Sequence, residues 1–171
     1  MNDQQASFTI TFRPMTLNDV TRVHEIDVLS FAMPWSERSY RFELTENQNA
    51  VAWVAERKNH DTVDVVGMIV VWSILDEAHI ATIAIHPDYR GFGIGRRLLA
   101  RALLAAHERG AQLAYLEVRR GNLKAQKLYN QFGFEVVGER PRYYKDNNED
   151  ALLMTMSPID PQMLTSMYDR E

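Results

Sequence analysis

Apolar positions in this chain switch repeatedly between a period of two and a period near 3.6, and each switch marks an element. Residues 8–12 alternate and read as a strand ended by Arg13-Pro14. Thr16-Leu17-Asn18-Asp19 has the form of a capping box with Asp in place of Glu, and Val20, Val23 and Ile26 then share one helical face. Phe31-Ala32-Met33-Pro34-Trp35 breaks that helix, and Ser36 caps a second, short one carrying Tyr40 and Leu44. Strands follow over 50–56, 65–74 and 78–85, with the polar stretch 58–64 and Asp76-Glu77 as their turns. A helix beginning at Arg96 places Leu98, Leu99, Ala102, Leu103 and Ala106 on one stripe and stops at Gly110. Residues 113–119 read as a strand, and Asn122 caps a helix that buries Ala125, Leu128 and Phe132 and ends at Gly133. Residues 134–137 and 151–156 read as a closing strand pair around a long polar turn. From Ser157 onward the chain reads as a tail, where Met163, Leu164, Met167 and Tyr168 form one docked amphipathic turn or nothing ordered. The predicted order is β-α-α-β-β-β-α-β-α-β-β, a mixed α/β sheet domain without repeats or linkers.

Between the strand ending at Ile85 and the helix lies Arg90-Gly91-Phe92-Gly93-Ile94-Gly95. Glycines at every second position leave backbone N–H groups uncovered where a helix begins. A helix start has unsatisfied donors and a partial positive charge, so a phosphate is well matched there, and Arg90, Arg96 and Arg97 add charged donors. A plain tight connection is the competing reading. A nucleoside-triphosphate loop needs Lys and then Ser or Thr after its last glycine, and Arg96-Arg97 stands there instead. The dinucleotide fingerprint needs Gly-x-Gly-x-x-Gly, whereas the spacing here is Gly91-x-Gly93-x-Gly95. Neither class fits.

Composition narrows the remaining options. With 171 residues, 46% hydrophobic and 25% charged, the chain makes one ordinary globular domain. The absence of cysteine excludes disulfides, thiolate metal sites and a cysteine nucleophile, and the five histidines show no ligand spacing, so no metal is expected. No apolar run approaches membrane-spanning length, and residues 1–5 lack a basic-then-apolar signal pattern, which makes a cytoplasmic protein the default. A net charge of −4 argues against direct nucleic-acid binding and leaves room for a basic protein or peptide partner.

The run from Ile83-Ala84-Ile85-His86-Pro87-Asp88-Tyr89-Arg90 through Gly95-Arg96 resembles the acetyl-CoA segment of the GNAT superfamily of N-acetyltransferases, whose loop pattern is Gln/Arg-x-x-Gly-x-Gly/Ala. Further segments resemble the bacterial ribosomal-protein alanine N-acetyltransferases (RimI type) and their N-terminal acetyltransferase relatives. These are Met33-Pro34-Trp35-Ser36-Glu37, then Leu116-Glu117-Val118-Arg119 continuing to Asn122, Ala125, Leu128-Tyr129 and Phe132-Gly133-Phe134, and finally Arg142-Tyr143-Tyr144 ahead of Asp150-Ala151. The resemblance implies a mixed, mostly antiparallel sheet with a splayed parallel strand pair, one domain over 8–157, and 158–171 as a C-terminal tail.

It also implies roles. The pantetheine arm would pair with the backbone of Ile83, Ala84 and Ile85, and the pyrophosphate would meet the N–H groups of Gly91, Phe92, Gly93, Ile94, Gly95 and Arg96. Asn122 would touch the cofactor, although its place as a helix N-cap accounts for it equally. Glu117 shares a strand face with Leu113, Tyr115 and Arg119, so an ion pair with Arg119 is its plain reading. In the resembling enzymes that position is the general base, and a desolvated Glu with a raised pKa suits the task. Tyr129 is either a core aromatic or, as the resemblance implies, the acid that protonates the leaving CoA thiolate. With ordinary pKa values of about 8.5 and 10, that transfer is uphill by about 2 kcal/mol. A strand N–H, that of Ile83, would hold the oxyanion. Trp35, Tyr143 and Tyr144 either cover the sheet or flank an acceptor peptide.

Arg120-Gly121 departs from the small polar residue usual before the Asn, as do the extra residues before Phe8 and after Ser157. The expected activity is direct acetyl transfer to a protein N-terminal amine, with a small-subunit ribosomal protein beginning with Ala as the implied acceptor and a monomer or weak dimer as the implied state. The rival readings are a small-molecule amine acetyltransferase on the same fold and a non-catalytic acyl-CoA-binding module.

Overall fold

The computed structural model describes residues 8–59 and 62–170, so residues 1–5 and part of the expected turn at 58–64 lie outside it. Strand β1 (Thr9–Pro14) leads through a 3-10 turn (Leu17–Asp19) into α1 (Val20–Ser30) and α2 (Glu37–Thr45). Next come β2 (Ala50–Lys58), β3 (Val63–Ile74), β4 (Glu77–Ile85) and α3 (Ile94–Glu108). The chain closes with β5 (Leu113–Arg119), α4 (Leu123–Gln131), β6 (Glu135–Tyr144), β7 (Glu149–Met156) and α5 (Pro161–Asp169). The sheet has seven strands in the order β1-β2-β3-β4-β5-β7-β6, antiparallel throughout except for the β4–β5 pair.

Three expectations from the sequence shift. Strand β1 runs on through Arg13 and Pro14, because an edge strand tolerates a residue without an N–H. Strand β6 continues to Tyr144, so the long polar turn shrinks to the residues between Tyr144 and Glu149. An irregularity between Arg140 and Tyr144, where Arg142 takes a φ of 51°, absorbs the Pro141 interruption. Of the two states open for the tail, the ordered one is observed: Asp160 caps α5 through the N–H groups of Gln162 and Met163, and Leu164 and Met167 pack into the core.

Two apolar layers sandwich the sheet. Helices α3, α4 and α5 bury Leu98, Leu99, Leu103, Phe132 and Leu164 against Ile69, Val71, Ile80, Leu116 and Met154. On the opposite face α1 and α2 bury Val23, Ile26 and Tyr40 against Val54, Met68, Val70 and Ala84. Strand β4 contributes to both layers in an instructive way. Ile80 and Ile83 reach the same face although they differ by an odd number of residues. Pairing passes from Val71↔Ile80 to Val70↔Thr82, so Ala81 is the extra residue of a β-bulge that resets the alternation.

That bulge sits where the sheet opens. β4 pairs with β5 only over Glu77↔Leu113, Ala78↔Ala114 and His79↔Tyr115. Beyond His79 the strands part: β4 stays on β3 while β5 follows β7 as far as Arg119↔Ala151. The candidate site residues gather around this wedge.

Candidate active site

One wall of the wedge is the free edge of β4. The His86 N–H donates to the Val66 carbonyl at 2.9 Å, which fixes the alternation of the antiparallel β3–β4 ladder. The pairs Met68↔Ala84 and Val70↔Thr82 are then the hydrogen-bonded ones. The N–H and C=O groups of Ile83 and Ile85 point away from β3 into the gap that β5 vacates, whereas those of Ala84 bond to β3. Arg90 takes one of these groups, its Nε donating to the Ile85 carbonyl at 2.9 Å and its Nη2 to Ser30 Oγ at 3.0 Å.

The edge runs directly into the glycine turn. Helix α3 starts at Ile94, two residues before the position expected from the sequence, with Gly93 as its N-cap at φ 73° and Gly91 at φ 89°. Left-handed backbone of this kind favours glycine. The first N–H of the helix to find a carbonyl is that of Arg97, bonded to Gly93 at 3.2 Å. Those of Gly91, Phe92, Gly93, Ile94, Gly95 and Arg96 have no acceptor among the described residues. Gly95 is different from its neighbours, because its backbone is helical. A Cβ there would meet Ile85 Cγ1 at 3.5 Å and Leu128 Cδ2 at 3.9 Å, ordinary contacts that the protein itself would accept.

The arginine side chains go elsewhere. Arg96 donates to the carbonyls of Met167 (3.2 Å) and Arg170, and Arg97 donates to that of Tyr168 at 3.1 Å. Both thus tie the first turn of α3 to the end of α5, where carbonyls lack helical partners. Only the backbone N–H of Arg96 belongs to the run of unpaired donors.

Across the wedge stands Glu117, two residues along β5 from the end of the parallel pairing. Its Oε2 lies 2.7 Å from His79 Nε2 and its Oε1 lies 3.6 Å from Arg140 Nη1. Arg119, its expected partner, instead bonds Asp146 and Glu149 at 2.9 and 3.1 Å, because the β6–β7 turn brings those carboxylates to it. The expectation of a raised pKa is reversed as well. The His79 hydrogen bond, helped by Arg140, outweighs burial and holds the Glu117 carboxyl below its usual range. Glu117 is an anion at neutral pH.

Tyr129, on α4, is 6% exposed, and burial drives its hydroxyl well above the usual tyrosine range, with Tyr144 adding to the shift. Its hydroxyl has no hydrogen-bond partner among the described residues, and its ring meets Phe134 at 5.8 Å. Asn122 caps α4, its Oδ1 accepting from the Ala125 N–H at 3.2 Å. Its exposure leaves the amide nitrogen open to other contacts. On the far side of β5, Tyr143 (41% exposed) and Tyr144 stand edge to face, with Arg140 over the first ring and Arg119 over the second. Burial pushes the Tyr144 hydroxyl up to about 12, against the opposing charge of Arg119.

The segment before α2 is pinned rather than loose. The Trp35 N–H donates to Asp27 Oδ2 at 2.6 Å, and its carbonyl lies 2.8 Å from His24 Nδ1. Asp27 is 1% exposed, and burial raises its pKa. The Trp35 ring stacks on Trp72 with centroids 6.3 Å apart, and Trp72 in turn abuts His79 edge-on at 5.2 Å. A row of rings therefore links the segment before α2 to the ring of His79 beside the carboxylate. Trp35, Arg38, Phe42 and Glu43 also line a depression of about 380 Å³ on its outer flank.

Sequence reading missed His79, Arg140 and Asp27. His79 carried a legible signal, a polar residue within the otherwise apolar 78–85 strand. Arg140 did not, because its approach to Glu117 depends on strand order.

A family model described as "Acetyltransferase (GNAT) family" matches residues 20–134. A Bacillus subtilis (strain 168) protein, provisionally named a [ribosomal protein bS18]-alanine N-acetyltransferase, is 42% identical over 142 residues, covering 83% of this chain and 91% of its own. The [ribosomal protein bS18]-alanine N-acetyltransferase of Escherichia coli (strain K12) is 30% identical over 157 residues, covering 85% of this chain and 96% of its own. The crystal structure of the ribosomal-protein-S18-alanine N-acetyltransferase from Escherichia coli superposes with a TM-score of 0.77 at 29% identity, covering 89% of this chain and 95% of that one. Open strand edge, glycine cradle and facing carboxylate thus occur in a chain that belongs to the GNAT family of acetyltransferases.

Proposed function

We propose that this protein transfers an acetyl group from acetyl-CoA to the N-terminal α-amine of a protein, with a ribosomal protein of the bS18 type beginning with Ala as acceptor. The observation that supports this reading is the continuity of the site. The outward-facing groups of Ile83 and Ile85, of which Arg90 takes the Ile85 carbonyl, lead into the donor run from Gly91 to Arg96, and the Glu117 anion faces them across the wedge. These residues fit the cofactor: the strand edge matches the amides of a pantetheine arm, and a run of free N–H groups at a helix start matches a pyrophosphate. Gly95 fits too, since it leaves the backbone uncovered between Ile85 and Leu128 at the start of the donor run. The similarity to bS18-alanine acetyltransferases favours a protein N-terminus over other amines, and the acidic net charge is compatible with a basic one. The setting that accords with these relatives is the cytoplasm, and no described helix is long and apolar enough to cross a membrane.

Bound acetyl-CoA supplies the activated acyl carbon and a thiolate leaving group. The protein's own groups manage the protons. A protein α-amine has a pKa of about 7.7–8.0, so about a tenth or more is neutral and nucleophilic at pH 7. As the nitrogen bonds to carbon its two protons become strongly acidic, and Glu117 receives one of them, directly or through a water, while the other stays on the product amide. A carboxylate held below its usual range is a poor partner for a resting ammonium but a sufficient one for that acidified nitrogen. The Ile83 N–H, aimed into the gap, offers a donor to the thioester oxygen. Tyr129 holds its proton throughout the working pH range and donates it as a hydrogen bond to the sulfur as the C–S bond breaks. Trp35, Tyr143 and Tyr144 line the acceptor approach.

The test is acetylation of an Ala-initiated bS18-type peptide against a panel of polyamines and free amino acids, with Glu117→Gln in parallel. The peptide is expected to be the preferred acceptor, and Glu117→Gln to lower kcat about 100-fold or more while acetyl-CoA affinity changes little. Preference for a small amine would overturn the acceptor. Binding of acetyl-CoA with no transfer to any amine would overturn the enzyme.

A further inference from the structure

Glu117 rotates about several side-chain bonds, yet general-base catalysis needs one of its oxygens held at one place. The structure gives it a restraint from an adjacent strand. His79 and Glu117 lie on the same sheet face, and their side chains are only 15% and 12% exposed. His79 Nε2 stands 2.7 Å from Glu117 Oε2. Because Glu117 is ionised, it can only accept, so the His79 tautomer that suits this contact carries its hydrogen on Nε2. The imidazole is itself clamped. It stacks on Tyr115 with centroids 4.3 Å apart and an angle of 10°, and the Trp72 ring closes its other flank edge-on at 5.2 Å. Trp72 is fixed in turn by Nε1 donating to Glu43 Oε2 at 3.0 Å, and Asn47 holds that carboxylate at 2.6 Å.

We infer that His79 is a positioning residue for acetyl transfer: it locks Glu117 Oε2 and so presents Oε1 to the reacting amine at the mouth of the wedge. The inference rests on the general-base reading of Glu117. His79 occupies the last register of the β4–β5 pairing, so it spans the two strands where they are still joined, and the carboxylate it holds lies where they have parted. The remaining charged groups around the pair divide by element. Arg140 approaches from β6 at 3.6 Å and Tyr115 stands on β5, with Glu77 acting on Tyr115 from β4 and Glu43 reaching the cluster from α2 through Trp72. Of these, only His79 and Arg140 meet the carboxylate itself.

His79→Phe removes the donor and keeps a flat ring between Tyr115 and Trp72, and His79→Gln restores an N–H donor of similar reach. Misplacement of a catalytic group by about 1 Å costs on the order of 100-fold, so His79→Phe is expected to lower kcat about 10- to 100-fold. The KM for acetyl-CoA should stay within about 3-fold, and His79→Gln should recover most of the loss. The donor holds the Glu117 carboxyl low, so its removal raises that pKa and the acid limb of the kcat profile should move to higher pH in His79→Phe. A third reading tests the route of action. If His79 works through Glu117, adding His79→Phe to Glu117→Gln should lower activity little further, whereas a separate role would multiply the two losses.

Wild-type turnover in His79→Phe overturns the inference. So does a His79→Gln variant as impaired as His79→Phe, which would assign His79 a proton that glutamine cannot carry. The general-base reading is judged apart from this: it falls only if Glu117→Gln itself retains near-wild-type turnover. Melting temperatures of the variants, compared by circular dichroism, ensure that each loss is measured on folded enzyme.

Discussion

Tyr129 shows how burial alters a residue's chemistry. An unperturbed tyrosine gives up a proton to a thiolate at a cost of about 2 kcal/mol. Burial widens that gap, because the phenolate would be left in a poorly solvating pocket. In the proposed mechanism such a hydroxyl would act by staying protonated and donating, so full transfer to the thiolate would not be required of it. The same burial makes a clean experiment possible. The hydroxyl has no protein partner among the described residues, so Tyr129→Phe strands no buried group and should leave the melting temperature within about 1–2 °C of wild type. The kcat should nevertheless fall about 10- to 100-fold with little change in KM for acetyl-CoA. Unchanged turnover in a fully folded variant would return Tyr129 to its plain reading as a core aromatic.

At the scale of elements, the junction of β4 and α3 carries most of the argument, and Gly95 is its most discriminating position. Its backbone is helical, so alanine would fit without strain and should raise helix stability by up to about 1 kcal/mol. The added methyl would stand against Ile85 and Leu128 at ordinary contact distance, in space that the proposed cofactor would need. Gly95→Ala is therefore expected to keep or raise the melting temperature while weakening acetyl-CoA binding about 10-fold or more, as read by calorimetry. Equal loss of stability and affinity would make the glycine a packing residue. Much of this junction was legible in the sequence, because glycine spacing before an amphipathic stripe is a local signal, and so was the strand face shared by Tyr115 and Glu117. The destinations of Arg90, Arg96 and Arg119 were not legible. A long cation takes whichever carbonyl or carboxylate the tertiary fold brings near, and here those partners lie 5, 71 and 27–30 residues away in sequence. The His79–Glu117 contact was hidden for the same reason, since 38 residues separate the pair and only the short parallel register brings them together.

For the molecule as a whole, the docked state that the sequence left open for the residues after Ser157 completes the core. Helix α5 lies along α3, and Ile159, Leu164 and Met167 are at most 8% exposed within the cluster that also holds Leu99, Leu103 and Phe132. At about 1.5–3 kcal/mol for each buried apolar side chain, these three account for an amount comparable to the net stability of a typical domain. The spacing of Met163, Leu164, Met167 and Tyr168 was visible, but nine helical residues are too few to be stable alone, so only the face they meet decides whether they fold. Arg96 and Arg97 join that docking to the glycine turn proposed to bind the cofactor, because they leave the first turn of α3 to hold the last carbonyls of α5. Stability and cofactor binding should therefore be linked through one turn of helix. Leu164→Ala, which empties a fully buried site, is expected to lower unfolding free energy by about 2–4 kcal/mol in urea titration. Saturating acetyl-CoA should recover part of that loss, since a ligand bound only by the folded state adds RT ln(1 + [L]/Kd). A loss below about 0.5 kcal/mol would show that α5 contributes little to the fold, and the two arginines would then have no structural reason to turn away from the cradle.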